Sequence, residues 1–155
     1  MAQVTLDEIE SWNADAREMT ELILGIPSEI LDDVVVGEWS ARQILTHMLD
    51  SELVFSARLR TAIGTPGGSV SAFDPAAMAS LIPYQTVSLE HVGQAFLALR
   101  ASNTEILRAL PERAWEQTID HPENGIQKLP DVVQVFGEHI GEHMAALREA
   151  QAQIA

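Results

Sequence analysis

The sequence predicts an all-α protein with the architecture of a four-helix bundle. Four long segments repeat apolar residues at steps of three and four, which is the spacing of one face of an α-helix. Capping residues and helix breakers delimit these segments, and no alternation of useful length indicates a β-strand. With 155 residues, of which 46% are hydrophobic, the chain has the size of one compact domain. We therefore expect a single domain over residues 1–155.

The first helix is predicted over residues 6–24. Thr5 and Glu8 have the spacing of a capping box, in which each side chain bonds the backbone N–H of the other. Gly25 and Pro27 end the segment, because glycine suits the end of a helix and proline cannot continue one. The inward positions follow the helical repeat and are Leu6, Ile9, Asn13, Ala16 and Ile23.

The second helix is predicted to begin after Ser40, whose hydroxyl can cap it while Gln43 reaches back. It is expected to continue to about Ile63, because residues 64–68 are rich in glycine and proline. Its inward residues share one face and are Ile44, His47, Met48, Ser51, Phe55 and Leu59.

The third helix is predicted from Ser88 to Leu110, before Pro111, and the fourth from about Pro130 to Gln153. The inward face of the third helix consists of Leu89, Val92, Phe96, Leu99, Ile106 and Leu110. The fourth helix carries on one face Val132, Phe136, His139, Ile140, His143 and Leu147.

Two connections between these helices are long. Residues 64–87 exceed what a hairpin between antiparallel helices needs, so this segment can run the length of the bundle and leave the second and third helices parallel. A short helix is expected within it, around residues 74–80. Residues 111–129 form the other long connection. Loops of this kind supply the walls and lid of a pocket.

Composition excludes several classes of protein. A formal net charge of −14, from 9 basic and 23 acidic residues, repels phosphate backbones and anionic lipid, so we expect neither a nucleic-acid nor a membrane partner. No apolar run has the length of a membrane-spanning helix, and the N-terminus lacks the features of a signal peptide. A cytoplasmic location is therefore expected. The chain has no cysteine, which excludes a disulfide, a thiolate ligand and a cysteine nucleophile.

Three histidines lie on the inward faces of two predicted helices. His139 and His143 are four residues apart on the fourth helix, and His47 is on the second. A single histidine in such a position is usually a satisfied core residue. Three are costly to bury, because each imidazole needs partners for both ring nitrogens, whereas one metal ion satisfies a nitrogen of all three. The pattern therefore indicates a metal site, with hydrogen-bonded core histidines as the alternative.

Two motifs resemble those of the DinB-like superfamily, also called the YfiT-like metal-dependent hydrolases. Residues 37–47, Gly-Glu-Trp-Ser-Ala-Arg-Gln-Ile-Leu-Thr-His, are similar to the family's Trp-Ser pair before a helix with a ligand histidine. Residues 139–143, His-Ile-Gly-Glu-His, are similar to its terminal pair of histidines. A succession ahead of the fourth helix also resembles the family and consists of Pro111, Trp115, His121 and Gly125.

The resemblance implies a bundle of up-down-down-up topology with a divalent metal, zinc, nickel or iron, held by three histidines. It also implies a small-molecule substrate and a homodimer. Some members of that family transfer low-molecular-weight thiols such as bacillithiol or mycothiol. The expected activity is therefore that of a metal-dependent hydrolase or a thiol-dependent transferase. One alternative is a non-enzymatic small-ligand-binding or stress-response protein with a structural or vestigial metal, and another is an acidic interaction protein.

Four further residues are candidates for the chemistry. Glu142 lies next to His143 and is assigned as a catalytic base, with a solvated glutamate as the alternative. Ser51, Arg58 and Asn103 lie on inward faces and are assigned to substrate binding, Arg58 towards a carboxylate. The alternatives are a serine bonded to its own helix, an arginine extended to solvent and an interhelical hydrogen bond for the asparagine. Four other polar residues are expected at the surface and are Asp50, Glu52, His91 and His121.

Overall fold

The structure is a computed structural model that describes residues 4–154, and it confirms the predicted fold class. The helices are α1 (Leu6–Leu24), α2 (Ala41–Gly64), the short α3 (Pro75–Leu81), α4 (Leu89–Ala109) and α5 (Leu129–Ala150). The four long helices form the bundle, and α3 lies in the first long connection, where a short helix was expected. Among the described residues, no helix is both long and apolar enough to cross a membrane.

The predicted capping boxes form at the N-termini of α1 and α2. At α1, Thr5 Oγ1 accepts from the Glu8 N–H at 3.2 Å, and the Thr5 N–H donates to Glu8 Oε2 at 2.8 Å. At α2, Ser40 Oγ accepts from the Gln43 N–H at 3.2 Å, and the Ser40 N–H donates to Gln43 Oε1 at 2.9 Å. These bonds satisfy backbone donors that the first turn of a helix leaves free, so both helices begin where the sequence predicts.

Contacts between the helices establish their directions. Residue numbers rise together along two parallel helices and in opposite senses along two antiparallel ones. By this criterion α1 and α4 are antiparallel, as are α2 and α5, whereas α1 and α5 are parallel, as are α2 and α4. For α1 and α4 the contacting pairs are Thr20 with Gly93 and Glu10 with Arg108, and for α2 and α5 they are Phe55 with Phe136 and His47 with His143. For α1 and α5 they are Trp12 with Gly137 and Glu18 with Arg148, and for α2 and α4 they are Glu52 with Arg100 and Ser56 with Asn103. The predicted up-down-down-up topology is confirmed.

Short β-strands, which the sequence analysis did not predict, lie in the connections. Strand β1 (Val35–Val36) pairs antiparallel with β2 (Trp39–Ser40) just before α2. Strand β3 (Gly68–Ser69) pairs parallel with β4 (Thr118–His121), which forms a hairpin with β5 (Gly125–Lys128). The pairing of β3 with β4 joins the two long connections to each other, so both can contribute to one site.

Two predicted inward faces differ from the structure. Leu6, the first residue of α1, is 59% exposed. On α4 the buried face includes Arg100, which was not among the predicted inward residues, while Leu99 and Ile106 are only half-buried. Arg100 can be buried because it bonds to partners on α1 and α2, so its burial leaves few groups unpaired.

A buried polar network links α1, α2 and α4. Arg100 Nη1 lies 3.3 Å from Glu52 Oε2, and the two side chains are only 4% and 3% exposed. Arg100 Nε donates to Asn13 Oδ1 at 3.0 Å, and Asn103 Nδ2 donates to Glu52 Oε1 at 2.7 Å. The predicted surface position of Glu52 is therefore wrong, because its charge is compensated inside the bundle.

Asp50 is also buried, contrary to the prediction. Its Oδ2 accepts a hydrogen bond of 2.6 Å from the Tyr84 hydroxyl, which lies in the first long connection. Burial raises the pKa of Asp50, while the bond from Tyr84 lowers it. This bond attaches the connection to α2 close to the three histidines.

Gly137 marks the closest approach of α5 to α1. A Cβ atom at this position would lie 2.2 Å from Trp12 Cδ2, which is ring rather than a flexible chain end. We expect Gly137→Ala to lower the free energy of unfolding by about 1–3 kcal/mol, because the added methyl overpacks the interface. The control is Gly141→Ala one turn later, where a Cβ would meet Asp15 Oδ2 at an ordinary 3.8 Å. Urea denaturation measures both variants, and equal stability of the two would contradict the close approach.

Candidate metal centre

Three histidine side chains converge between α2 and α5. His47 Nε2 lies 3.1 Å from His139 Nε2, which lies 2.9 Å from His143 Nε2. One ring nitrogen of each histidine falls within 4.8 Å of those of the other two. The structure therefore brings together the three residues that the sequence analysis assigned to a metal.

Local structure explains this convergence. His139 and His143 are separated by four residues on α5, so their side chains leave adjacent turns on the same side. The antiparallel α2 presents His47 to them. The ring of Trp39 stacks on His47 with centroids 5.0 Å apart, and the ring of Phe73 lies parallel to it at 6.1 Å. These aromatic neighbours restrict the orientation of the His47 imidazole.

Burial keeps the three imidazoles neutral. Burial, with smaller contributions from His139 and His143, lowers the pKa of His47 to about 3. Burial and then His139 lower the pKa of His143 to about 4. Burial also lowers the pKa of His139, and the neighbouring Glu142 opposes that shift. The neutral imidazole is the form that binds a metal ion.

The donor set fits a divalent metal ion. Nitrogen ligands lie about 2.0–2.1 Å from zinc, and two of them subtending about 90–109° at the ion are separated by about 2.9–3.4 Å. The spacings of 3.1 and 2.9 Å between the ring nitrogens fall in this range. Without an ion, His139 Nε2 carries either one hydrogen or one lone pair, so it can form a hydrogen bond with only one of the two ring nitrogens that it faces. One metal ion would accept a lone pair from each of the three rings.

The three histidines open into a pocket of about 550 Å³. Small-molecule sites commonly occupy about 300–1,000 Å³. Aromatic side chains line part of the wall, and both long connections contribute to it, Phe73 from the first and His121 from the second. The expectation that these connections supply pocket walls is therefore confirmed.

Ser51 and Arg58 both line this pocket. Ser51 lies one turn after His47, and its Oγ is buried without a hydrogen-bond partner among residues 4–154. The alternative in which this hydroxyl bonds its own helix is therefore wrong. Arg58 does not extend away from the protein, because its Cζ lies 5.5 Å from the centroid of the Phe136 ring and its Nη2 donates to the Ser71 carbonyl at 3.1 Å.

Glu142 and Asn103 have different surroundings. Glu142 is exposed at the rim of the pocket. Asn103 is fully buried and does not line the pocket. Its Nδ2 donates to Glu52 Oε1 at 2.7 Å and to Ser56 Oγ at 2.6 Å, and its Oδ1 accepts from Arg60 at 3.0 Å. Both ends of the amide are engaged between helices, so the structure does not bring Asn103 to the pocket.

His121 is a pocket residue that the sequence analysis placed at the surface. It ends β4 and is 5% exposed. Its Nδ1 accepts from the N–H groups of Glu123 and Asn124, both at 3.2 Å, and its Nε2 lies 3.2 Å from Arg58 Nη2. The alternation that buries Ile119 and His121 is the signal that could have found it, but β4 has only 4 residues.

The sequence is similar to proteins of one family. The family model of the DinB superfamily matches residues 12–147. A protein of Oceanobacillus iheyensis named "Putative metal-dependent hydrolase" is 25% identical over 148 residues, which cover 92% of this chain and 86% of the relative. A Bacillus cereus protein of the same name is 24% identical over 154 residues, which cover 94% of this chain and 88% of the relative.

The fold is similar to a solved structure, that of YfiT from Bacillus subtilis. The TM-score is 0.82 over 99% of this chain and 91% of that chain, at 18% sequence identity. YfiT is described as a probable metal-dependent hydrolase with an unusual four-helix bundle topology. At this identity the similarity shows the fold that the two chains share.

Proposed function

The chain belongs to the DinB superfamily, and from this membership we propose that it is a metal-dependent hydrolase acting on a small molecule. His47, His139 and His143 would hold one divalent ion, either zinc, nickel or iron. The observation that carries the proposal is the convergence of three neutral imidazoles on the wall of a pocket. The names of the relatives support hydrolysis as the reaction.

The chain supplies binding and proton transfer around the ion. A divalent ion held by three neutral ligands keeps its full charge and an open position, so it supplies Lewis acidity near neutral pH. Ser51 offers the substrate a hydroxyl that has no other partner in the described chain. Glu142, at the rim, can accept a proton from the attacking group. Trp39 and Phe73 cover His47 and limit the access of water.

A thiol-dependent transferase is the second reaction that this site supports. The chain has no cysteine, so the thiol would come from a small molecule such as bacillithiol or mycothiol. Saturable binding of such a thiol that is lost when the metal is removed would distinguish the transferase from the hydrolase. Bound metal without turnover of ester, amide or phosphoester substrates would favour the alternative, a non-enzymatic binding protein.

Alanine at each of the three histidines tests the metal assignment. We expect His47→Ala, His139→Ala and His143→Ala each to weaken metal binding by at least about tenfold, because two imidazoles hold an ion less firmly than three. Elemental analysis of dialysed protein made without an affinity tag measures this, with circular dichroism to verify helicity. His91→Ala, at an exposed histidine outside the pocket, is the control and should retain the metal. Full occupancy in the three pocket variants would contradict the proposal.

A further inference from the structure

The part of the pocket around Arg58 contains a buried cationic donor that lacks an acceptor among the described residues. Arg58 Nε is buried with no hydrogen-bond partner among residues 4–154. Of the three guanidinium nitrogens, Nη2 bonds the Ser71 carbonyl at 3.1 Å. Within the described chain, no carboxylate lies at ion-pair distance from this guanidinium. Partial burial of an arginine without a directly bonded carboxylate is costly, which indicates that a ligand accepts from the free donor.

His121 faces Arg58 in an arrangement that needs an acceptor. Its Nδ1 accepts hydrogen bonds from the N–H groups of Glu123 and Asn124, so this nitrogen carries no hydrogen. The hydrogen of the neutral ring is therefore on Nε2. That Nε2 lies 3.2 Å from Arg58 Nη2, which is also a donor. Two donors cannot bond each other. An oxyanion placed against both would accept from each of them.

The charges around Arg58 favour a singly charged anion. Burial lowers the pKa of Arg58, and the nearby Glu123 opposes that shift. Glu138 and Glu142 also line the pocket, and the whole chain carries a net charge of −14. A single fixed cation among several carboxylates suits a carboxylate better than a doubly charged phosphate.

An apolar wall separates Arg58 from the three histidines. Arg58 lies eleven residues after His47, roughly 16 Å along α2 at the helical rise, and its side chain leaves towards the start of the helix and thus towards His47. The Phe136 ring, 5.5 Å from Arg58 Cζ, lies about one turn before His139 on α5. A ligand that reaches both polar ends therefore passes over an aromatic surface.

We propose that Arg58 and His121 bind the carboxylate of a small substrate, whose apolar body packs on Phe136 and whose reacting group lies at the three histidines. The class of substrate is a carboxylic acid with an apolar body and a bond to be cleaved at its far end. The orientation rests on the proposed metal-dependent function. The carboxylate contact itself needs no metal ion.

Calorimetric titration with 3-phenylpropanoate and its neutral amide tests this contact, on the protein as purified and after metal removal. We expect the carboxylate to bind about tenfold or more tightly than the amide in both preparations. Arg58→Gln should remove that preference, and Arg58→Lys, which keeps the charge, should retain part of it. Arg17→Gln makes the same change of charge at an exposed residue of α1 and should retain the whole preference.

Equal affinity for the acid and the amide, or a preference that survives Arg58→Gln, would overturn the carboxylate site. Tighter binding of 2-phenylethyl phosphate than of 3-phenylpropanoate would overturn the choice of a singly charged anion. A preference seen only with metal present would place the anion at the histidines and also overturn the proposal. Retention of the preference in a protein that binds no metal would support the carboxylate site while contradicting the proposed function, so the two failures are distinguishable.

Discussion

Replacing Arg100 with leucine is expected to lower the free energy of unfolding by about 3–5 kcal/mol. The substitution leaves the Glu52 carboxylate, 3% exposed, without the cation that lies 3.3 Å away in the native protein. Asn103 Nδ2 still donates to Glu52 Oε1, but a neutral amide does not replace the lost charge. Urea denaturation near neutral pH measures the change.

The matched control is Arg148→Leu, which removes surface ion pairs with Glu18 and Asp15 and should destabilise the protein far less than Arg100→Leu does. The double variant Arg100→Leu/Glu52→Leu should recover much of the stability, because a buried apolar pair leaves no uncompensated charge. Equal destabilisation by Arg100→Leu and Arg148→Leu would contradict a buried ion pair in the core.

A bound metal is expected to stabilise the folded protein at pH 5 nearly as much as at pH 7.5, by about 2.7 kcal/mol when free metal is about a hundredfold above Kd. The pKa of His47 is lowered to about 3 and that of His143 to about 4, so both rings stay neutral at pH 5. Exposed histidines, with a pKa of about 6.5, would be protonated there. Thermal unfolding with and without added zinc measures the difference across this range.

The same shifts make the metal-free protein sensitive to acid. The pKa values of the buried rings lie below that of an unfolded histidine, so the unfolded chain binds more protons once the pH falls below about 6.5. The free energy of unfolding is therefore not reduced by these two rings above that pH. It falls as the pH drops from about 6.5 through the pKa values of about 4 for His143 and about 3 for His47. A metal effect that has vanished by pH 6 would show that these histidines titrate like exposed ones.

The helices and the histidine triad could be predicted because their signals are local. Thr5 with Glu8 and Ser40 with Gln43 each form a capping box within four residues, which the structure reproduces. Three histidines on inward faces needed only the helical repeat and the cost of burying imidazoles. The antiparallel packing of α2 against α5 then brings His47 next to His139 and His143.

Pairings between distant segments could not be predicted from one sequence. The sequence places Glu52 at the surface because a charge in a helix is usually solvated, and its burial is explained by the approach of Arg100 and Asn103 from α4. His121 was missed for a similar reason, since β4 is too short for its alternation to identify a strand. Its position beside Arg58 depends on the pairing of β4 with β3.

That His47, His139 and His143 hold one metal ion is tested most directly by ¹H–¹⁵N spectra of the 5 imidazoles of the chain. One equivalent of zinc added to metal-free protein is expected to shift the Nε2 resonances of these three rings and to leave His91 and His121 unchanged. The Nε2 atoms are the ones that face each other at 3.1 and 2.9 Å. Shifts confined to His91 or His121, or no shift in any ring after a full equivalent of zinc, would contradict the metal centre.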